Sequence, residues 1–436
     1  MSELPPGWAS TTLGEVSTTR LGKMLSAKAK HGLQPRPYLR NKNVQWGRFD
    51  VEDIARMDFT DDEFDRFQVM PGDLLVCEGG EVGRAAIWRG QISGIAYQKA
   101  LHRVRPEAKI EPELLLYLFM WLAQTNALEP FVTGSTIKHL PQEDLRQLPV
   151  PLPPLSEQRR IVAAIEEQFS RLDAAEKLLA AADRKRSALA TRVQSAAFQG
   201  AWPEVRLGDL VEAIRGVTYR KEQARSEPAD GFLPIVRATN IDEELRLEDF
   251  VYVPEAVVRP EQHLRVGDIL VATSSGSSAV VGKSAILRDE WSGAFGAFCG
   301  VLRVREQREV RPAYLARLIA SPSIRARWSG LAAGTNINNL KRDHLSETPV
   351  VLPPIDEQQR ILADLEQQLS ILGAMKSRIE AAQRRSATLR RSILERAFRG
   401  QLVPQDPTDE PAAVLLERIS KGRAAAESKR RKKVPA

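Results

Sequence analysis

The clearest pattern in the chain is a mostly apolar 4-3 spacing in two long stretches, interrupted by polar residues at Gln168, Arg186, Gln368, Ser386 and Arg396. One stretch runs from Ile161 to Ala196 and the other from Ile361 to Arg396. A 4-3 spacing held over about five heptads is typical of a coiled-coil seam. The pattern predicts two helices of roughly 44 residues, each about 66 Å long at 1.5 Å per residue. Each helix is the expected partner of the other.

Both helices begin with nearly the same sequence. LPPLSEQRRIVAAIEEQ (Leu152–Gln168) returns 200 residues later as LPPIDEQQRILADLEQQ (Leu352–Gln368), with 10 of 17 positions identical. The Pro pairs impose an extended entry, and Ser156 and Asp356 are the expected N-caps. We therefore interpret the chain as a tandem repeat.

The segments before the two helices also repeat, as short matches in the same order. The matches are Arg40–Val44 with Arg237–Ile241, Gly72–Val76 with Gly267–Val271, Val82–Arg84 with Val281–Lys283, Arg103–Arg105 with Arg303–Arg305, and Gly134–Leu140 with Gly334–Leu340. Short strands among a few helices predict an α+β fold for each segment. The loops differ, with CEGGE in one copy and the longer ATSSGSSAV in the other. A fixed scaffold with divergent loops suits a protein whose halves read different targets.

The repeat divides the chain into five expected segments. They are globular domains over 1–150 and 201–350, spacer helices over 151–200 and 351–403, and a basic tail over 404–436. The tail ends in a basic run, Lys429–Lys433, and we expect it to be disordered. A phosphate-binding arm is the alternative.

The net charge of +7 is unevenly distributed. The globular segments carry −1 and 0, whereas the helices and tail carry +2, +3 and +3. Bulk charge therefore indicates no nucleic-acid footprint, and DNA binding would need a local patch. Two Cys in different halves suit a reducing compartment, and no run of 18 apolar residues occurs. We expect a cytoplasmic protein.

Enzyme motifs give no convincing match. There is no Walker A motif and no [DN]-P-P-[YF] loop, and Gly79–Gly83 is an isolated glycine cluster. E-x-K triplets occur at Glu107–Lys109 and Glu427–Lys429, but they lie beside Pro or in the tail. We expect no catalytic residue in this chain.

The PLPPLSEQRRIVAAI pattern, present twice and each time after a GSTIKHL-like turn, resembles the specificity subunit of type I restriction-modification systems. The resemblance covers about 1–403. It implies two target recognition domains that read a bipartite DNA site, with the helices packed antiparallel as a spacer in a pseudo-two-fold chain. It implies as partners two methyltransferase subunits and motor–nuclease restriction subunits. S-adenosylmethionine, ATP and Mg would be bound by those partners, which carry out N6-adenine methylation or cleavage, and no cofactor by this chain.

Candidate DNA contacts are donor side chains at the repeated turns, because Arg pairs with guanine and Asn with adenine in direct readout. They are Arg40, Asn43, Arg84, Lys138, Arg237, Asn240, Lys283, Asn336 and Asn338. For the R-x-x-N turns we favour a scaffold role, since they occur in both halves whereas specificity should differ. For loops 77–84 and 272–283, and for Lys138 against Asn338, we favour recognition.

Four polar residues at the helix starts are candidate subunit contacts: Glu157, Gln158, Glu357 and Gln358. N-terminal capping is the alternative that we favour for them. Two other functions stay open for the whole chain. One is an assembly scaffold that reads no bases, and the other is a fused enzyme with unrecognised motifs.

Overall fold

The computed structural model describes residues 4–26, 32–107, 109–242, 244–277, 279–332 and 338–432, with side chains as far as Ala425. The chain forms two compact units. Unit 1 comprises Met1–Leu178 with Ala382–Ala436, and unit 2 comprises Leu179–Ala381. Each unit therefore contains one globular segment and part of each long helix.

Unit 1 is a mixture of short strands and helices, as the sequence predicts. Its strands are β1 (Ala9–Thr12), β2 (Ser17–Leu21), β3 (Pro35–Leu39), β4 (Val44–Gln45), β5 (Arg48–Phe49), β6 (Ala55–Asp58), β7 (Leu74–Cys77), β8 (Ala85–Ile87), β9 (Ala96–Tyr97), β10 (Leu101–Pro106) and β11 (Pro149–Leu152). Its helices are α1 (Leu13–Val16), α2 (Asp61–Phe67), α3 (Pro112–Gln124), α4 (Gln142–Gln147) and the first part of α5 (Leu155–Ala196).

Unit 2 has a closely similar inventory. Its strands are β12 (Glu204–Arg206), β13 (Val211–Arg215), β14 (Phe232–Val236), β15 (Val251–Pro254), β16 (Ile269–Ala272), β17 (Ser274–Ser275), β18 (Ser284–Ile286), β19 (Ala294–Phe295), β20 (Cys299–Val304), β21 (Asn338–Asn339) and β22 (Pro349–Val351). Its helices are α6 (Leu207–Leu210), α7 (Pro312–Ile319), α8 (Pro322–Ala332) and α9 (Arg342–Ser346). The next helix, α10 (Ile355–Phe398), begins in unit 2 and ends in unit 1, and the last helix, α11 (Ala412–Lys432), belongs to unit 1.

The two units repeat one sheet topology. An antiparallel sheet of order β2-β10-β7-β8 in unit 1 matches β13-β20-β16-β18 in unit 2. A three-stranded sheet, β6-β3-β9, matches β15-β14-β19, and in both cases the last strand pairs in parallel with the central one. A two-stranded ribbon, β1-β11 or β12-β22, leads into each long helix. The predicted α+β fold and its repetition are confirmed.

An ion pair between an arginine and a buried aspartate fixes the register of the repeat and corrects one of the sequence matches. Asp73 accepts two hydrogen bonds from the Arg105 guanidinium, at 2.6 and 2.7 Å. Asp268 accepts the same pair from Arg303, at 2.8 and 2.7 Å. Arg303 therefore corresponds to Arg105, and not to Arg103 as the R-V-R match predicted. The two R-V-R triplets are offset because the loops between the repeated strands differ in length.

A continuous apolar core joins each globular segment to the long helices. In unit 1, Leu115 and Phe119 of α3 belong to one cluster with Ile161 and Ile165 of α5. In unit 2, Leu315 and Ile319 of α7 share a cluster with Ile361 and Leu365 of α10. The first apolar turns of the repeated helices are thus the point where each helix is fixed to its unit.

The long helices run antiparallel within unit 1, as predicted. Glu176 accepts a hydrogen bond from the Ser386 hydroxyl at 2.6 Å. Asp173, three residues before Glu176, pairs with Arg390, four residues after Ser386. The partners thus advance along α10 as they go back along α5, which is the mark of antiparallel helices. In unit 2, Val193 and Leu365 line one groove between the helices.

The predicted seam is wrong at alternate positions. Ala175, Ala182 and Leu189 are exposed, as are Met375 and Leu389. The next residue along the helix is more covered in several cases: Glu176 after Ala175, Arg390 after Leu389, and Ala397 after the exposed Arg396. A 3.6-residue helical repeat drifts relative to a strict heptad, and charged residues fill part of this seam, which an apolar pattern does not detect.

The helix boundaries also differ slightly from prediction. The helices start at Leu155 and Ile355, so the expected N-caps Ser156 and Asp356 lie inside the first turn. The Pro154 carbonyl accepts the first helical hydrogen bond, from the Gln158 N–H at 2.9 Å. The second proline of each pair is therefore the entry to the helix.

The prediction of a disordered tail is wrong for Ala412–Arg423. Ala412 and Leu415 are buried in the core of unit 1. The Arg423 guanidinium donates to the carbonyls of Gly14 at 2.8 Å and Ser17 at 2.9 Å, and pairs with Glu107. The first part of α11 is thus docked on unit 1. Across the described ranges, no helix combines the length and apolar character needed to cross a membrane.

Candidate nucleic-acid interface

The R-x-x-N sequence of unit 1 forms a 3-10 turn organised by its Asn. The Asn43 amide accepts from the Arg40 N–H at 2.9 Å and donates to the carbonyls of Asp50 at 2.9 Å and Asp53 at 3.0 Å. Asn43 is 1% exposed. The Arg40 guanidinium donates to the Asp53 carbonyl at 2.8 Å. This geometry is that of a structural turn, with no Asn edge presented to a base.

The matching turn of unit 2 repeats the arrangement. Asn240 accepts from the Arg237 N–H at 2.9 Å and donates to the Glu248 carbonyl at 2.6 Å, while Arg237 donates to the Asp249 carbonyl at 2.7 Å. Asn240 is also buried. The scaffold interpretation of both turns therefore has direct geometric support.

A polar network holds the loop after β7 in unit 1. The Asn41 amide donates to the Gly79 carbonyl at 2.7 Å, and Arg84 donates to the Asn41 carbonyl at 3.2 Å and pairs with Glu81 at 3.0 Å. Trp46 donates to Glu81 at 2.6 Å. Arg84 is mostly covered, so its side chain acts chiefly to shape the loop.

Lys138 lies beside this loop. Gly79 forms a β-bridge with His139, and a Cβ on Gly79 would lie 3.2 Å from the His139 ring. A larger residue at this position would require the His139 ring to shift by a few tenths of an ångström. The Lys138 ammonium group pairs with Glu129 at 2.7 Å, and both side chains are half exposed. The structure therefore brings Lys138 and loop 77–84 together.

The corresponding loop of unit 2 pairs with the segment that carries Asn338. Ser274 and Ser275 of β17 pair with Asn339 and Asn338 of β21. The Ser274 hydroxyl donates to the Asn339 amide oxygen at 2.7 Å, whereas the Asn338 amide makes a 3.5 Å contact with the Ser275 carbonyl. Asn338 thus lies beside loop 272–283. Asn336 lies outside the described residues.

The candidate cations are paired with surface carboxylates. Lys283 pairs with Asp242 at 2.8 Å, Lys138 with Glu129, and Arg84 with Glu81. Exposed ion pairs such as Lys138 with Glu129 contribute about 0–1 kcal/mol. Replacing such a carboxylate by a phosphate or a base edge would therefore cost little.

An exposed aromatic residue in unit 2 was missed by the sequence analysis. Phe298 is 66% exposed and lines a cavity of about 580 Å³ together with Tyr219 and Ser275. No repeated motif marks it, because the matching position in unit 1 is Ala100. A comparison of aligned strand ends would have found this difference.

Gln158 and Gln358 connect the helix starts to their globular segments. Gln158 accepts from the Glu111 N–H at 3.2 Å and donates to the Pro153 carbonyl at 3.0 Å. Gln358 accepts from the Arg311 N–H at 2.9 Å. Both glutamines are 0% exposed. Their burial leaves no surface for a partner subunit, and none of these bonds caps an N–H group of the helix. Both glutamines instead join the helix start to the segment before it.

The two neighbouring glutamates differ from each other. Glu157 is 1% exposed and accepts a hydrogen bond from the Trp8 indole at 3.0 Å. Burial raises the pKa of Glu157 above its usual value. Glu357 is partly exposed and pairs with Arg360 at 3.0 Å. Of the four candidate subunit contacts, Glu357 keeps the most accessible side chain.

Comparison with known proteins identifies the family. The sequence model of the type I restriction modification DNA specificity domain matches residues 5–181 and 200–383. The chain belongs to this family. The two matches cover both globular segments and much of both long helices, so the family's specificity domain occurs here twice.

Individual relatives agree with this assignment. The chain is 37% identical over 202 residues to the StySPI type I restriction enzyme specificity subunit of Salmonella potsdam, covering 46% of this chain and 43% of that subunit. It is 34% identical over 220 residues to the EcoKI specificity subunit of Escherichia coli K12, covering 50% of this chain and 47% of that subunit. The matches thus span less than half the length of these two relatives.

A solved structure shows the same fold. It was reported for complex assembly and conformational transition of the type I R-M system, and its chain aligns with a TM-score of 0.75 at 21% identity. The alignment covers 92% of this chain and 100% of that chain. The specificity-domain architecture is therefore shared well beyond the range of close sequence similarity.

Proposed function

We propose that this chain is the sequence-specific DNA-recognition subunit of a type I restriction-modification complex. Each unit reads one half of a bipartite target. The observation that carries the proposal is the repeated scaffold with different loops. The same strands and the same Asn-organised turn occur in both units, whereas loop 77–84 and loop 272–283 differ in length and chemistry.

The bases would be read by polar groups at these loops. Lys138 in unit 1 and Asn338 in unit 2 occupy matching positions on the segment that pairs with the loop. Lysine suits the O6 and N7 acceptors of guanine, and asparagine suits adenine. Different side chains on one scaffold give two different half-sites.

The long helices would set the gap between the half-sites and dock the methyltransferase subunits. Half-sites read from one face of the duplex lie about 34–36 Å apart per helical turn. Helices of 42 and 44 residues are about 63 and 66 Å long at 1.5 Å per residue. That length is sufficient to support two reading units at such a spacing.

The chemistry would belong to the partners. Methyltransferase subunits bind S-adenosylmethionine and methylate adenine at N6, and restriction subunits use ATP and Mg. We assign no catalytic residue and no cofactor to this chain. Its contribution is to choose the DNA on which the partner subunits act.

The test is co-expression of the chain with its methyltransferase subunit in a methylation-free host, followed by mapping of N6-methyladenine by single-molecule sequencing. We expect one bipartite motif with a fixed gap. The methyltransferase subunit expressed alone is the control. A stable copurifying complex that produces no new methylation would refute the proposal and favour an assembly scaffold.

Two variants would assign each half-site to a unit. Lys138→Ala should relax discrimination in one half of the motif, and Asn338→Ala in the other half. Relaxation of the same half by both variants would contradict a one-unit, one-half-site arrangement.

A further inference from the structure

The backbone of unit 2 holds Phe298 in a fixed, exposed position. The Phe298 carbonyl accepts hydrogen bonds from the N–H groups of Thr273 at 2.9 Å and Ser274 at 3.2 Å. These bonds tie the turn between β19 and β20 to the loop after β16. The side chain is nevertheless 66% exposed. A large aromatic ring is thus presented to solvent on an ordered support.

The surroundings of Phe298 combine an apolar cavity with a polar reader. The cavity of about 580 Å³ is lined by Phe298, Tyr219 and Ser275, among others. Ser275 is also the strand partner of Asn338. Strand β17 therefore links the aromatic ring on one side to the Asn338 amide on the other.

Unit 1 has a matching backbone hydrogen bond with different side chains. The Ala100 carbonyl accepts from the Glu78 N–H at 2.9 Å, as the Phe298 carbonyl accepts from Thr273. Lys138 occupies the position of Asn338. The two units therefore differ at two matched positions, Lys138 with Ala100 in one and Asn338 with Phe298 in the other.

The pair in unit 2 is complementary to an A·T base pair. In the major groove, adenine presents N7 and the N6 amino group, which an Asn amide binds in bidentate fashion. Thymine presents its C5 methyl group, which apolar side chains contact. Asn338 and Phe298, on opposite sides of β17, carry both kinds of surface, whereas Lys138 with Ala100 provides a donor and only a small apolar side chain.

We propose that Phe298 and Asn338 together read one A·T pair of the half-site bound by unit 2, with the Phe298 ring against the thymine C5 methyl group. The inference rests on the proposed function. It adds a specific base pair and a specific contact, and it explains how one scaffold gives two different half-sites.

The test removes only the thymine methyl group. Each thymine in the half-site that Asn338→Ala relaxes is replaced in turn by deoxyuridine, and binding of the full chain in its complex with methyltransferase subunits is measured. We expect one position at which the wild type loses about fourfold in affinity, the equivalent of burying one methyl group. Phe298→Ala should bind the thymine and deoxyuridine duplexes equally, and Phe298→Leu should keep part of the discrimination.

Val266→Ala is the matched control. Val266 is an exposed apolar residue of unit 2, 51% exposed, in the turn before β16, at the other end of that strand from Thr273. It should keep the wild-type ratio of thymine to deoxyuridine affinity.

Two results would overturn the inference. One is a ratio of thymine-duplex to deoxyuridine-duplex affinity that is the same in the wild type and in Phe298→Ala. A uniform loss of affinity for all duplexes, as an intercalating side chain would produce, gives this result. The other is a half-site without an A·T pair. Failure of the proposed function would appear earlier, as the absence of any methylation motif, and would overturn both.

Discussion

Replacing Gln358 by Ala should destabilise unit 2 strongly, although the residue is polar and lies in the first turn of a helix. Its amide accepts from the Arg311 N–H and donates to the carbonyls of Glu309 and Pro353, each at 2.9 Å. The side chain is 0% exposed. Truncation therefore leaves one buried and two part-buried backbone groups without their partner.

The magnitude follows from the number of these bonds. Each lost hydrogen bond costs about 0.5–1.5 kcal/mol, so the loss of three bonds in Gln358→Ala should cost about 1.5–4.5 kcal/mol. Gln158 makes two such bonds, to Glu111 and Pro153. On the same basis, Gln158→Ala should cost about 1–3 kcal/mol in unit 1. The ranking of the two matched variants is part of the prediction.

Amide hydrogen exchange with peptide resolution is the suitable assay, because a chain of two units need not unfold in one step. Peptides that include Arg311 should exchange faster in Gln358→Ala, and peptides that include Glu111 should exchange faster in Gln158→Ala. Gln368→Ala is the control, since Gln368 is exposed on the same helix. It should stay within about 0.5 kcal/mol of the wild type.

The result that would refute this reasoning is equal exchange around Arg311 in Gln358→Ala and Gln368→Ala. The role of Gln358 in joining the helix start to the segment before it would then be wrong, and its burial would need another explanation. We expect a smaller increase in exchange rate around Glu111 in Gln158→Ala than around Arg311 in Gln358→Ala.

Three further predictions concern the tail, a buried carboxyl and the DNA. Arg423→Ala should accelerate exchange in α11, because its guanidinium holds the helix against unit 1, whereas Lys421→Ala, which breaks only an exposed pair within the helix, should not. Glu157→Gln should be more stable than the wild type at neutral pH, because burial raises the pKa of Glu157 in the folded state above 4.5. The wild-type free energy of unfolding therefore falls as pH rises through that pKa. In urea titrations below about pH 4.5, the difference between the two proteins should vanish. Lys138→Ala should weaken binding to the mapped duplex more than to a scrambled one, and unchanged affinity at moderate salt would contradict its role.

The repeated scaffold was predictable because its signals are local. The Pro-Pro pair and the E-Q dipeptide stand at the head of each long helix, and a Gly-Asp turn stands before each buried strand. Such signals depend on neighbours in the chain. They identify where helices and strands begin even when the tertiary contacts are unknown.

The role of the helix-start glutamines was not predictable in the same way. Gln358 meets Arg311 and Glu309, 47 and 49 residues earlier in the chain. A polar residue in a first helical turn is equally compatible with solvent, a cap or a partner. Only the tertiary fold shows that it is enclosed.

The register of the repeat was missed for a related reason. Arg103–Arg105 and Arg303–Arg305 look alike as letters, but the residue that binds the buried aspartate is Arg105 in unit 1 and Arg303 in unit 2. The charge partner, and not the local triplet, defines equivalence. Once the register is corrected, Phe298 aligns with Ala100 and the difference between the two candidate reading sites becomes visible.

The corrected register also explains why α11 belongs with unit 1. The Glu107 N–H donates to the carbonyl of Val16, the last residue of α1, at 2.9 Å. The Arg305 N–H donates to the carbonyl of Leu210, the last residue of α6, at 3.0 Å, so the two positions match. In unit 1 the Glu107 carboxylate binds Arg423 of α11. In unit 2 the same position carries a positive charge, which would repel Arg423. The change from Glu107 in unit 1 to Arg305 in unit 2 therefore favours docking of α11 on unit 1. In the same way, the change from Ala100 to Phe298 gives unit 2 an apolar surface of the size of a thymine methyl group.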